Sequence, residues 1–209
     1  MFRLASPSLF AMLAIAVPAM GCNNYNLLDR LENPGGAQTG LASCGSDCRI
    51  FVTASVYDGN LGGVQGADNK CNSDPARPQG TTNWKALISS TSERTACTSD
   101  NCSTGLAENF NWVLRPNTLY RRLDGQVIGT TNGSAIFVFD LQNAMASNSN
   151  DVWTGLTASW IQSANCSNWT SNIGSLVGRY GWSNDITGYA IDVMSASCSN
   201  PQHLYCVEQ

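Results

Sequence analysis

The chain is poor in charge. Aspartate, glutamate, lysine and arginine make up 12% of its 209 residues, about half the usual share. Lys70 and Lys85 are the only lysines, His203 is the only histidine, and the net charge is −4 at pH 7. Each shortage excludes something. Without clustered cations an acidic chain cannot neutralise phosphates, which argues against nucleic acid as a partner. One histidine rules out any two-histidine mechanism, and the sparse carboxylates form no evident acid–base pair. Asp140, after an apolar run, is the most conspicuous of them and reads as a turn cap. No apolar stretch reaches the roughly 20 residues of a membrane-spanning helix. The chain reads as non-enzymatic, with no cofactor or metal called for.

What is present is cysteine, glycine and small polar residues. Nine cysteines point to an oxidising compartment, and the odd count asks where one of them goes. The N-terminus supplies an answer. Met1-Phe2-Arg3, an apolar run from Leu9 to Ala19 and then Met20-Gly21-Cys22 make a signal peptide over residues 1–21. Cys22 after Gly21 resembles a bacterial lipobox, with Ala19 where leucine is usual. Lipidation at Cys22 would anchor the chain to a membrane and leave eight cysteines. Ordinary cleavage with Cys22 free is the alternative. Residues 22–48 read as a tether that includes Asn33-Pro34-Gly35-Gly36. Its polar part spans on the order of 25 Å if flexible. Cys44 and Cys48 read as a local disulfide; the alternative, half of a zinc site, lacks its second half.

Residues 49–209 read as the folded domain. Its organising stretch is Gly62-Gly63-Val64-Gln65-Gly66-Ala67-Asp68-Asn69-Lys70-Cys71. The glycines lead into a helix that runs to about Ser73, before Pro75. Asp68 is expected in the first turn, where the helix dipole favours it, and Cys71 on the inward face. The glycine order is not that of a phosphate-binding loop. Arg49–Tyr57, Trp84–Ile88, Leu119–Leu123 and the apolar run Ala135–Phe139 are expected as strands. Cys97 and Cys102 flank a turn that a local disulfide would close. Arg121-Arg122, the one adjacent basic pair, is either a solvated strand end or part of a ligand site. Trp160 and Trp182 lie in polar loops, where each either anchors a protein partner or covers the core. Short strands, few helices and long loops add up to an α+β class stabilised by disulfides.

Several stretches together resemble a known family. The glycine motif, Phe137-Val138-Phe139-Asp140, Val152-Trp153-Thr154-Gly155, Cys166-Ser167-Asn168-Trp169 and the closing Leu204-Tyr205-Cys206-Val207-Glu208 are similar in order and spacing to endostatin, over about residues 49–209. With the lipobox, the chain resembles the leptospiral endostatin-like surface lipoproteins. The resemblance implies a C-type-lectin-like (endostatin-like) fold and nested disulfides Cys71–Cys206 and Cys166–Cys198. Spacing alone leaves about a hundred pairings of eight cysteines open. It also implies a lipid-anchored outer-membrane protein on the cell surface, acting as an adhesin. Its partners would be host extracellular-matrix proteins (fibronectin, laminin) and plasma proteins such as complement factor H or plasminogen. The chain departs from the pattern in lacking the histidines of endostatin's zinc site and the arginine cluster of its heparin site. It also lacks the calcium motif of sugar-binding lectins. Two alternatives stand beside the adhesin: a glycan-binding lectin-like module, and a structural cell-envelope lipoprotein with no host ligand.

Overall fold

The closing run Leu204-Tyr205-Cys206-Val207 is apolar at every position, and the computed structural model shows why. The structure describes residues 44–79 and 83–209; the signal peptide, Cys22 and the tether up to residue 43 lie outside the described residues. The described residues form eight strands: β1 (Asp47–Val52), β2 (Trp84–Ala86), β3 (Leu119–Arg122), β4 (Val127–Thr130), β5 (Asp151–Trp153), β6 (Val177–Trp182), β7 (Met194–Ser197) and β8 (His203–Glu208). They form one mixed sheet in which seven run in the order β4-β3-β1-β8-β5-β6-β7 and β2 pairs with β8 beside that path. One edge of β8 pairs with β1, antiparallel. The other is shared: β2 takes Cys206–Glu208, antiparallel, and β5 takes His203 and Leu204, parallel. Leu204 and Cys206 pack into one hydrophobic cluster, Tyr205 and Val207 into another. Both faces of the strand are therefore buried, which is why its sequence does not alternate.

The helix α1 (Gly63–Ser73) lies as expected, with Val64, Ala67, Asp68 and Cys71 turned inward at helical spacing. Gly62 and Gly63 both adopt left-handed backbone, φ 83 and 74, a region glycine enters at little cost. This turn brings the Val64 N–H to the Glu93 carboxylate, 3.1 Å away. Glycine here shapes a helix cap filled from a distant loop. Asp68 is corrected: it sits in the second turn, not the first, and faces the core. There it forms a two-pronged ion pair with the fully buried Arg94, at 2.7 and 2.8 Å. Arg94 also donates to the carbonyls of Ala86 and Asn111, and Asp68 accepts the Ala86 N–H. Every charge-bearing atom of the pair is thus hydrogen-bonded, as burial demands.

The expected strand Ala135–Phe139 is not one. Ala135, Ile136 and Phe137 are buried, but their backbone has no ladder partner. Two buried indoles take that role: Trp112 Nε1 donates to the Ala135 carbonyl at 2.9 Å and Trp160 Nε1 to the Phe137 carbonyl at 3.1 Å. Trp153 and Trp169 do the same for Tyr57 and Ser89, at 2.9 and 2.7 Å. Tryptophan thus supplies both core volume and the hydrogen bonds that buried loop carbonyls need. Gly155, at φ 65, allows one of these contacts. A side chain there would meet Trp169 Cζ2 at 2.8 Å and the Ser89 carbonyl at 2.9 Å.

The α+β, C-type-lectin-like (endostatin-like) expectation is corrected by this architecture. The chain is β-rich, an eight-stranded mixed sheet with one helix longer than four residues among the described residues. Cys166–Trp169 forms a tight turn, with Ser167 and Asn168 at φ 55 and 57, a backbone that cannot propagate a right-handed helix.

Candidate binding surface

No catalytic constellation is assembled among the described residues. The His203 Nδ1 donates to the Thr53 carbonyl at 2.6 Å, which fixes the tautomer with the proton on that nitrogen. His203 lines an open cleft of about 470 Å³ whose walls mix polar groups such as Arg122, Asp124 and Asn150 with apolar ones such as Val52, Leu123 and Met145. Asp140 is exposed. One group of potential metal ligands occurs among the described residues, Cys97, Cys102 and Glu108. Its donors are already engaged, because the two sulfurs form a disulfide and a disulfide sulfur is not a thiolate ligand.

Glu108 has a different task. Its carboxylate accepts the backbone N–H groups of Thr98, Ser99 and Thr104 and the hydroxyls of the same three residues, at 2.6–3.0 Å. The Ser99 hydroxyl, followed by the Thr104 and Ser99 backbone N–H groups, holds the carboxyl far below the usual range. Because the folded value lies below the unfolded one, this stabilisation is fully present above about pH 5 and is lost as pH falls. Glu108→Gln is therefore expected to lower the unfolding midpoint strongly at about pH 7 and much less at about pH 2.5. Denaturant curves of both proteins at the two pH values test this, and an equal gap at both would contradict it.

The eight cysteines of the described region form four disulfides: Cys44–Cys48, Cys71–Cys206, Cys97–Cys102 and Cys166–Cys198. The basic pair lies on β3 and is neutralised. Arg121 bonds Asp47 at 3.0 Å, and Arg122 bonds Asp124 at 3.0 Å through Nε. The Arg122 guanidinium also holds Asp124 below the usual carboxylate range. The two tryptophans separate sharply. Trp160 is 0% exposed and belongs to the core, whereas Trp182 is 38% exposed. Neither tryptophan lines the cleft beside Arg122.

Two features that the sequence did not single out stand near Trp182. Tyr189, 55% exposed, packs edge-on against it with ring centroids 6.1 Å apart. Ile186 and Met194 are exposed as well. Met194 pairs with Tyr180 across β6 and β7, and so shares the sheet face of Tyr180 and Trp182. Next to Tyr189 in the chain, Gly188 lines a cavity of about 500 Å³ whose walls include Ile136, Val138 and Phe139. Val138 is 68% exposed. The supports are rigid: Thr187 caps the Tyr189 N–H, and the Leu141 N–H donates to the Ile186 carbonyl at 2.7 Å. No local signal marks Tyr189 as exposed, since it is a lone aromatic in a polar loop much like Trp160.

Residues 54–186 match the family described as Protein of unknown function (DUF1554). The match spans well over half of the chain. The chain belongs to the DUF1554 family. No curated protein matches it. The DUF1554 match contains α1 and β2–β6, and Trp182 and Ile186 close to its end, while β1, β7 and β8 lie outside it.

Proposed function

We propose that the chain is a binding module on a bacterial surface lipoprotein of the endostatin-like surface type, anchored through Cys22 in the outer membrane. In this reading it is an adhesin for the host extracellular-matrix proteins fibronectin and laminin, with complement factor H or plasminogen as further partners. One observation carries the binding reading: Trp182 and Tyr189 form an exposed aromatic pair on a frame held by four disulfides. Exposed aromatics on rigid supports make effective anchors, because they bury much apolar area for little lost entropy. The resemblance described above supplies the partner class. The basic pair gives it no support, since Arg121 and Arg122 are each already paired with an aspartate.

The test is solution binding of the oxidised protein to soluble fibronectin. The double variant Trp182→Ala/Tyr189→Ala is expected to weaken binding by about tenfold or more. Arg121→Ala is expected to change it by less than about twofold, the size of effect typical for an exposed ion pair. The reverse pattern would move the binding surface to β3 and sink the aromatic assignment.

A further inference from the structure

We propose that the cavity beside Phe139 is a binding site for a neutral mono- or disaccharide, stacked on the Phe139 ring and hydrogen-bonded by the side-chain amides of Asn101 and Asn132. Its volume, about 500 Å³, lies within the range of small-molecule sites. The Phe139 ring is a fixed platform. It stacks on Trp160 with the planes 4° apart and the centroids at 5.6 Å, and Trp160 is itself fully buried and bonded to the Phe137 carbonyl.

Of the two polar groups Asn132 is fixed as well, whereas the side chain of Asn101 is exposed. The Asn132 Oδ1 accepts the N–H groups of Ser134 and Ile136 at 2.9 and 3.3 Å. That orients the amide, and its Nδ2 has no partner among the described residues. The Asn101 backbone N–H donates to the Ser159 carbonyl at 2.9 Å, inside the loop closed by Cys97–Cys102. The Asn101 side-chain amide has no partner among the described residues, so its oxygen and nitrogen are both available. Ala158 stands opposite, held by the Asp192 carboxylate at 2.8 Å. Gly188 keeps the cavity open, because a side chain there would press on Ala158 at 2.9 Å.

The lining decides the ligand class. None of the residues that line the cavity is ionisable, so an anionic or cationic ligand would find no counter-charge on its walls. A purely apolar ligand would cover the two amides without satisfying them. A pyranose offers what the walls can use: an apolar C–H face for the aromatic ring, and hydroxyls that both donate and accept for the amides. The inference does not rest on the adhesin reading. A protein that binds sugars and no matrix protein keeps the cavity site and loses the adhesin, and the reverse result separates them the other way.

The experiment is saturation-transfer NMR on the oxidised full chain. The neutral probes are methyl glucoside, methyl galactoside, methyl mannoside, methyl N-acetylglucosaminide, lactose and cellobiose. Sialyllactose and a sulfated disaccharide serve as charged probes, and N-acetylphenylalanine amide as an apolar one. At least one neutral sugar is expected to bind with a Kd of about 1 mM or tighter. Asn132→Asp keeps an oxygen that holds the loop and replaces the donor by a charged acceptor, and it is expected to weaken binding about fivefold or more. Phe139→Leu and Asn101→Gly are expected to act in the same direction, glycine being suited to the left-handed backbone of Asn101 (φ 53). Trp182→Ala is expected to leave sugar binding unchanged. The proposal is overturned if no neutral sugar gives transfer at about 20 mM. It is equally overturned if the charged sugars bind as well as the neutral ones, if only the apolar amide binds, or if Asn132→Asp binds like the parent.

Discussion

Replacing Cys71 and Cys206 together by alanine is expected to lower the unfolding free energy by about 5 kcal/mol. This bridge joins the last turn of α1 to the central strand β8 across 135 residues of sequence, and the strands β2 to β7 lie within the loop it closes. Its removal releases that loop in the unfolded chain, where most of the effect arises. The native contacts of the pair are well made without it, since both positions lie in the same buried cluster. A loss of that size is comparable to the whole stability of many domains. Denaturant unfolding of the oxidised double variant checks it. A loss below about 1 kcal/mol would show that the unfolded chain is already constrained, by residual structure or by the Cys166–Cys198 bridge inside the same loop.

Arg94→Met is expected to cost about 3–5 kcal/mol, because it leaves the Asp68 carboxylate buried without its counter-charge. The same substitution also strips donors from the carbonyls of Ala86 and Asn111. Adding Asp68→Leu to Arg94→Met should restore much of the loss, since a buried ion pair replaced by apolar groups is often neutral. A double-mutant cycle reads the coupling directly. Additive single effects would contradict the assignment of Arg94 and Asp68 as one unit.

The helix and the central strands were legible because their signals are local. The two glycines before Val64 and Pro75 after Ser73 bracket α1, and the apolar closing run is a strand buried on both faces. Signals that depend on distant partners were not legible. Asp68 obeys no helix-dipole rule because its partner Arg94 lies in another loop. Ala135–Phe139 has the composition of a strand, yet its carbonyls are met by indoles from residues 112 and 160. Nor does the composition of Cys166–Trp169 announce the left-handed backbone that makes it a tight turn. The candidate surface was half visible. Trp160 and Trp182 sit in similar polar surroundings in sequence, and only the packing of Trp160 against Trp112, Phe137 and Phe139 separates core from surface. The cavity beside Phe139 draws on four separate loops, so no window of sequence could reveal it.

The proposed adhesin rests on an exposed aromatic contact pair, Trp182 and Tyr189. The most direct measurement is the affinity of the oxidised protein for soluble fibronectin across a salt series from about 0.05 to 1 M, with reduced, alkylated protein alongside. The account predicts saturable binding by the oxidised form alone, nearly independent of salt and lost in Trp182→Ala/Tyr189→Ala. Absence of binding at tens of micromolar, or an affinity that falls steeply as salt rises, would contradict it.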